Sequence, residues 1–249
     1  MEAIICFSIH VDRNINKLSD FFGAEIAAKD AEAYKHLLNL QRTMDSKQFD
    51  SLMGLKHSEK KRSLPFKAVA DDGRVFSNYF THVIVEENEK RLIKNMRYRV
   101  RPQGSREEVP TKYNVFNARL DALESRQTWM NLFMRNHGIV PLTAFYEWVA
   151  GENNKPRLIK FFPNNSELMW APVLWDEWVA KDGTFSFKSF AIITDGPPKE
   201  VEEMGHDRCP IFLNRDKIDE WLNPKKTSKE KVYELLKNRE PTYFEHEFI

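Results

Sequence analysis

The chain has 249 residues and a nearly balanced charge, with 38 lysines and arginines against 37 acidic residues. This balance argues against a protein that binds nucleic acid or a membrane surface through its overall charge. Hydrophobic residues make up 41% of the chain and charged residues 30%, as is typical of a soluble globular protein, and no apolar run approaches the roughly 18 residues that a membrane span requires.

The N-terminal segment has the alternation of a strand. Over residues 4–11 apolar side chains recur at every second position, and Cys6 falls on the more polar face. The apolar part of this segment is too short for a signal-peptide core, so export is not indicated. Cys6 and Cys209 lie far apart in the sequence and predict neither a disulfide framework nor a paired metal site. We therefore expect a cytoplasmic protein without a membrane partner.

Helices are predicted next along the chain, followed by a loop. Asp12 can cap a short helix that ends at Phe22, and Asp30 can cap a longer helix with apolar residues at helical spacing. The lysine-rich residues 57–62 predict a loop.

Strands dominate the rest of the chain. They are predicted over residues 79–86, 95–100, 138–148, 158–162, 168–174 and 185–193, where β-branched and aromatic residues are frequent. Turn residues at 151–154 and 181–183 predict hairpins, and a capping box at 227–230 predicts a helix that ends near Asn238. The sequence therefore predicts a single α+β domain over residues 1–249, rich in mostly antiparallel strands, with peripheral helices.

Three segments carry side chains that are suited to chemistry. Glu147 has aromatic neighbours on both sides along the chain, and a partly desolvated carboxyl group suits proton transfer; the alternative is an edge-strand residue that points to water. His206 lies in a polar turn before an apolar run, where a histidine is more often structural. Asn117 and Arg119 contribute an amide and a guanidinium that can orient a substrate or bind a phosphate.

Five separated segments form a pattern along the chain. They are Cys6, residues 116–122, residues 140–148, residues 190–194 and residues 206–210. Their order and spacing resemble the SRAP family, named for SOS-response-associated peptidases. The resemblance spans nearly the whole chain and is more specific than any one segment.

The resemblance implies an α+β domain with a β-rich core and a positively charged cleft for single-stranded DNA. Family members shield abasic sites, because an N-terminal cysteine traps the ring-opened sugar as a thiazolidine DNA–protein crosslink. By matching position, the resemblance assigns the catalytic roles to Cys6, Asn117, Glu147 and His206. It assigns DNA contacts to Arg119, Trp148 and Thr194.

The implied chemistry needs both nucleophiles of an N-terminal cysteine. The α-amine condenses with the aldehyde to an iminium, and the thiolate then closes a five-membered ring on the same carbon. Glu147 would shuttle protons, while His206 would assist opening of the furanose and, in reverse, hydrolysis of the adduct. Asn117 would orient the sugar or the cysteine, and Arg119 would take a flanking phosphate.

Cys6 departs from this pattern because five residues precede it, so it has no free α-amine in the chain as written. Three explanations are open. Translation begins later, with Ile5 encoded by a rare start codon; or residues 1–5 are removed, in one version by the protein itself; or crosslinking has been lost. We favour the first two, taken together, over the third.

The segments implied to contact DNA also depart from the family pattern. Phe7 and Ser8 stand where the family has Gly-Arg, and residues 99–105 stand where it has a tryptophan-containing stretch after a Gly-x-x-Pro motif. The stacking platform for a base is then either absent or built elsewhere, and Tyr98 is the candidate substitute. We expect a divergent member with retained catalytic groups and altered DNA contacts.

Two further classes of function are open. One is a Cys/His/Glu thiol peptidase that acts in autoproteolysis of residues 1–5, and the other is a DNA-binding module without chemistry. The sequence has no paired Cys/His spacing and no Gly-rich phosphate loop, so we expect neither a metal nor a cofactor. The expected partner is single-stranded DNA containing abasic sites, bound by a monomer.

The net charge hides one basic stretch. Over residues 91–119 there are eight basic residues and two acidic ones. Because this stretch leads into Asn117, we expect Arg97, Arg99 and Arg101 to contact a short length of one DNA strand, with an affinity that falls as salt is added. The plainer interpretation is a solvated basic face.

Overall fold

The computed structural model describes residues 8–56, 66–151, 155–165 and 168–249. Its strands are β1 (Ser8–His10), β2 (Glu25–Ile26), β3 (Arg74–Phe76), β4 (Phe80–Glu87), β5 (Lys90–Tyr98), β6 (Asn117–Arg119), β7 (His137–Leu142), β8 (Ala144–Ala150), β9 (Pro156–Pro163), β10 (Met169–Val179), β11 (Ser186–Asp195), β12 (Cys209–Pro210) and β13 (Phe244–Phe248). Its α-helices are α1 (Ile15–Phe22), α2 (Ala28–Thr43), α3 (Ser46–Leu52), α4 (Gln127–Met130), α5 (Lys199–Glu202), α6 (Ile218–Leu222) and α7 (Lys229–Lys237).

The strands form two sheets. The smaller sheet has five strands in the order β13-β9-β8-β1-β3, and the larger has eight, in the order β12-β11-β10-β7-β4-β5-β2 with β6 beside β11. Because β5 also pairs with β11, the strands from β11 to β5 close into a barrel-like ring. Most pairs are antiparallel, and parallel pairs join β5 to β2 and β11 to β5 and β6. The α+β class and the β-rich, mostly antiparallel architecture are therefore confirmed.

Three apolar clusters hold these elements together. One cluster combines the two sheets and includes Phe145 and Ile159 of the smaller sheet and Val173 and Ile192 of the larger. A second packs α1, α4, α6 and α7 on the larger sheet, and a third adds α2 and α3. Burying each side chain of this size contributes about 1.5–3 kcal/mol. Among the described residues, no helix is long and apolar enough to cross a membrane.

Two helix starts differ from the prediction. The cap of α1 is Asn14, whose side chain accepts a hydrogen bond from the Lys17 N–H, while Asp12 accepts from the Asn14 N–H. α2 begins at Ala28, so Asp30 lies in its first turn instead of capping it. There the Asp30 carboxylate accepts from Lys188 of β11 at 2.7 Å, a long-range contact that local sequence does not reveal. The predicted C-terminal helix is confirmed as α7, with Ser228 as its cap.

Residues 138–148 form two strands instead of one. β7 belongs to the larger sheet and β8 to the smaller, and Thr143 between them donates its N–H to the His10 carbonyl of β1 at 2.9 Å. The other predicted strands are found with shifted ends. The elements that are not predicted are β2, β3, β6, β12, β13 and α3 to α6. Residues 4–7 of the predicted N-terminal strand, the predicted loop at residues 57–62 and residues 152–154 of the predicted turn lie outside the described residues.

Candidate functional site

Glu147 points into the space between the two sheets. Its strand β8 is flanked by β1 and β9, and alternation places Glu147 on the same face as Phe145 and Val149, which belong to the core shared by the sheets. The residue is fully buried. The alternative that Glu147 points to water from an edge strand is therefore wrong.

His206 is the buried partner of this carboxylate. It lies in the loop between α5 and β12, and its Nε2 is 3.1 Å from Glu147 Oε2. Its Nδ1 lies 2.9 Å from the Arg208 carbonyl oxygen, and because a carbonyl only accepts, Nδ1 carries a proton and Nε2 faces the carboxylate. Burial opposes protonation, but the Glu147 carboxylate outweighs it and raises the pKa of His206 above its ordinary value.

The other predicted site residues, Asn117, Arg119 and Thr194, lie at the end of β11, near the Glu147–His206 pair. Thr194 lies between β6 and β12, opposite Arg119 on one side and Pro210 on the other. Its hydroxyl is buried and has no hydrogen-bond partner among the described residues. Asn117 is also buried, and its side-chain oxygen accepts from the Tyr98 hydroxyl at 3.2 Å. The predicted Asn117, Arg119 and Thr194 therefore share one end of the larger sheet, on strands next to the loop that carries His206.

Arginines and aspartates alternate around this end of the sheet. We call this group the Arg–Asp rim; its members, in order of contact, are Arg119, Asp121, Arg208, Asp195 and Arg239. Arg119 is half-exposed, so it remains accessible to a phosphate. Arg208 is not among the predicted site residues, although its position two residues after His206 is a signal that could have found it.

Trp148 lies on the opposite face of β8 from Glu147. Its side chain is exposed, which is unusual for a tryptophan. Tyr98, the predicted substitute platform, is instead fully buried against Phe116 and Phe190. An exposed ring is needed for stacking on a base, so the prediction for Tyr98 is wrong.

The predicted nucleophile Cys6 lies outside the described residues. Ser8, two positions later, pairs with Tyr146, the residue before Glu147. β1, the first described strand after Cys6 in the sequence, is therefore hydrogen-bonded to the strand that carries Glu147.

Arg97, Arg99 and Arg101 are buried and do not form the predicted DNA-contacting strip. Arg97 donates to both carboxylate oxygens of Glu108, at 2.8 and 3.1 Å, and the other two arginines lie 3.8 Å from the same carboxylate. Arg101 also packs on the Trp178 ring at 3.7 Å. These three positive charges are thus buried and paired with Glu108. The prediction that they contact DNA and the plainer interpretation of a solvated basic face are therefore both wrong for these residues.

Arg99 has an unusual backbone in this cluster. Its φ is 155°, a value that favours glycine. Its guanidinium donates to the Val109 carbonyl at 2.7 Å. The local strain, about 1–3 kcal/mol for such a conformation, is held by these surrounding contacts.

Cys209 is the described cysteine, and its thiol is not a nucleophile. It is buried, it lies 3.1 Å from the Pro210 carbonyl oxygen, and burial raises its pKa to about 12. Since the chain has two cysteines, thiol chemistry depends on Cys6. Within the described ranges, no group of three or more His, Cys, Asp or Glu side chains could hold a metal ion.

Comparisons with known proteins identify the family of the chain. A family model described as SOS response associated peptidase (SRAP) matches residues 30–247. The chain is similar to the Bacillus subtilis abasic site processing protein YoaM, with 26% identity over 153 residues, which make up 61% of this chain and 66% of that relative. It is also similar to an abasic site processing protein of Saccharomyces cerevisiae, with 32% identity over 130 residues, or 50% of this chain and 33% of that relative. The match thus spans less than two thirds of either relative.

Solved structures show the same fold. A protein from Bacteroides thetaiotaomicron superposes with a TM-score of 0.68 at 16% identity and covers 98% of this chain and 92% of its own. A protein from Bordetella bronchiseptica superposes with a TM-score of 0.66 at 15% identity and covers 98% and 99%. Since the family model matches far more than half of the sequence, the chain belongs to the SOS response associated peptidase (SRAP) family.

Proposed function

We propose that this protein binds single-stranded DNA containing abasic sites and traps the ring-opened sugar covalently through Cys6. The observation that carries the proposal is the buried pair of Glu147 and His206, placed beside the strand into which Cys6 leads. The names of the relatives, abasic site processing proteins, support the class of substrate. That the protein acts as a monomer in the cytoplasm stays a prediction.

The Glu147–His206 pair suits proton transfer to and from a sugar. Because the pKa of His206 is raised, a larger fraction of its imidazole is protonated near neutral pH than in an ordinary histidine. The imidazolium can donate a proton to a ring oxygen, while the Glu147 carboxylate can accept one from a hydroxyl or an amine. The carbonyl of Arg208 holds the imidazole in the orientation that this exchange needs.

The proposed reaction has three steps. First, the furanose opens: the C1′ hydroxyl loses its proton, the bond from C1′ to the ring oxygen breaks, and that oxygen gains a proton. Second, the α-amine of Cys6 attacks the aldehyde carbon, and water leaves to give an iminium. Third, the Cys6 thiolate attacks the same carbon and closes a thiazolidine. One water is released overall, no oxidant is needed, and Glu147 and His206 return to their starting protonation states.

This chemistry requires Cys6 to be the first residue of the mature chain, because an internal cysteine has no α-amine. Loss of residues 1–5, by a later start of translation or by cleavage, is therefore part of the proposal. Autoproteolysis is a second candidate activity, favoured by the burial of Cys209, which leaves Cys6 as the available thiol.

The DNA contacts that we propose involve Arg119 in the Arg–Asp rim and Trp148 on the face of β8 opposite Glu147. Arg119 would bind a phosphate through its fork of donors, and the exposed Trp148 would stack on a base. The buried Thr194 hydroxyl and the Asn117 amide would face the sugar. These groups replace the stretch of residues 97–101 as the proposed interface.

A crosslinking assay tests the proposal. Protein shown by mass to begin at Cys6 is incubated with an oligonucleotide that contains one abasic site, and heat-stable adduct is counted over time. We expect adduct with the wild type, none with Cys6→Ala, and formation slowed about 100-fold or more with Glu147→Gln, because proton transfer by a positioned group contributes that much. Glu245→Gln on the exposed face of β13 is the matched control and keeps the wild-type rate.

Two outcomes separate the alternatives. A protein that begins at Cys6 and binds the oligonucleotide without forming an adduct would show a DNA-binding module without this chemistry. If wild-type protein loses residues 1–5 while Cys6→Ala retains them, the chain cleaves itself.

A further inference from the structure

The fork of Arg119 is already occupied by a carboxylate of its own chain. Arg119 Nε donates to Asp121 Oδ1 at 3.0 Å, and Nη2 donates to Oδ2 at 2.6 Å. This two-point arrangement is the one that a guanidinium uses for a phosphate. A DNA phosphate and Asp121 therefore compete for the same donors.

Asp121 also lies beside the second arginine of the rim. Its Oδ2 is 3.6 Å from Arg208 Nη2, and Arg208 in turn lies 4.0 Å from Asp195. Asp195 accepts a hydrogen bond from Arg239, which is the last member of the rim. Three arginines and two aspartates leave one net positive charge in the rim, so its attraction for DNA depends on which aspartates stay paired.

Because the ion pair of Arg119 and Asp121 is exposed, a phosphate can replace the Asp121 carboxylate. The side chains of Arg119 and Asp121 are 49% and 56% exposed, and ion pairs between exposed groups contribute little net stability in water. The hydrogen bonds from Arg119 are the main cause that lowers the pKa of Asp121, so its carboxylate stays ionised at neutral pH. At neutral pH the Asp121 carboxylate is thus charged, and it is held weakly enough for a phosphate to displace it.

We infer that Asp121 is a competing carboxylate that holds Arg119, and partly Arg208, until a DNA phosphate replaces it, and that it thereby sets the affinity and salt dependence of DNA binding. The inference rests on the proposed function, since it needs DNA to bind at the rim. In it Asp121 is a positioning residue that acts through Arg119 and touches no reacting atom.

Salt-dependent binding of an undamaged single-stranded oligonucleotide tests this inference without any covalent step. Fluorescence anisotropy gives Kd between about 50 and 200 mM KCl for the wild type, Asp121→Asn, Arg119→Gln and the double variant Arg119→Gln/Asp121→Asn. The matched control is Asp219→Asn on α6, which changes the same charge and likewise removes the exposed partner of an arginine, Arg91. Thermal unfolding of each variant confirms that it is folded.

We expect Asp121→Asn to bind about twofold to fivefold more tightly than both the wild type and Asp219→Asn, because freeing an exposed pair has an effect of this size. The plot of log Kd against log salt steepens by up to about 0.7, because binding to the variant no longer leaves an unpaired carboxylate that takes up a cation and offsets the phosphate that Arg119 neutralises. In the double variant the gain disappears, since Asp121 acts through Arg119.

Three results would overturn the inference, and they differ in what else they remove. Equal gains for Asp121→Asn and Asp219→Asn would show an effect of net charge alone. If Arg119→Gln binds DNA more weakly than the wild type but Asp121→Asn binds with the wild-type Kd, the inference is wrong and the proposed function still stands. Absence of binding by every variant would remove both. If Asp121→Asn does not fold, Asp121→Ser serves in its place at this exposed position.

Discussion

Replacing Glu108 with glutamine should cause a large loss of stability, because one carboxylate compensates three buried guanidinium groups. Glu108 accepts two hydrogen bonds from Arg97 and lies 3.8 Å from both Arg99 and Arg101. The side chains of the three arginines are at most 5% exposed and that of Glu108 is 16% exposed. Glu108→Gln keeps the shape of the side chain and removes only its charge and one acceptor.

The expected magnitude follows from these contacts. The amide of glutamine can keep one of the two bonds from Arg97, but its NH₂ group then faces a second donor. Hydrogen bonds to a charged group contribute about 1.5–3 kcal/mol each, and removal of one partner from a buried ion pair costs about 3–5 kcal/mol. We therefore expect the free energy of unfolding to fall by about 3–5 kcal/mol, a large part of the 5–15 kcal/mol typical of a folded domain.

Urea denaturation at neutral pH measures this loss. The control is Glu107→Gln, the same substitution one residue earlier at an exposed position, where the change should stay within about 0.5 kcal/mol. A loss below about 1 kcal/mol for Glu108→Gln, with an unchanged denaturant slope, would refute the reasoning. It would mean that the arginines reach solvent, and the basic stretch would again be a candidate DNA surface.

The pH dependence of the Glu108 contribution has a definite sign. Burial tends to raise the pKa of Glu108, but Arg97, followed by Arg101 and Arg99, outweighs it and lowers the pKa below the ordinary 4.5. A lowered carboxyl pKa stabilises the folded state above the unfolded value and loses this effect as the pH falls through the folded value. The difference between wild type and Glu108→Gln should therefore be complete at neutral pH and shrink below about pH 4.5.

Three further predictions concern the site. Histidine NMR should give His206 a pKa above 6.5 in the wild type and below it in Glu147→Gln, since burial without the carboxylate lowers it; equal values would contradict the pairing. Trp148→Ala should weaken binding of single-stranded DNA by about 1–3 kcal/mol, whereas Tyr243→Ala at another exposed ring should not, and equal effects would argue against stacking. Cys209 should resist iodoacetamide in the folded protein and react after unfolding, because its pKa of about 12 keeps it a thiol; labelling under native conditions would show that the site opens.

The sequence predicts those parts of the site that depend on local pattern. The β-branched and aromatic residues around Glu147 predict a strand, and β8 confirms it. The break at Thr143 is not predictable from that pattern, because both flanking strands are equally apolar and only pairing with β1 separates them. The contact between His206 and Glu147 joins segments about sixty residues apart, so the resemblance to a family brings them together where periodicity does not.

Charge is the property that the sequence predicts least well here. Arg97, Arg99 and Arg101 recur at every second position, so they share a face, but the pattern does not tell which face is buried. Glu108 compensates them only because the chain turns back on itself. For the same reason Arg208 is missed, since its place in the rim depends on Asp121 from a distant segment.

The intact mass of the natively expressed protein, before and after incubation with an abasic oligonucleotide, tests the proposed chemistry most directly. We predict a mature chain that begins at Cys6 and, after incubation, a heat-stable species equal in mass to that chain plus the oligonucleotide minus one water. A mature chain that still begins at Met1, or one that begins at Cys6 and gains no mass, would contradict crosslinking through this residue.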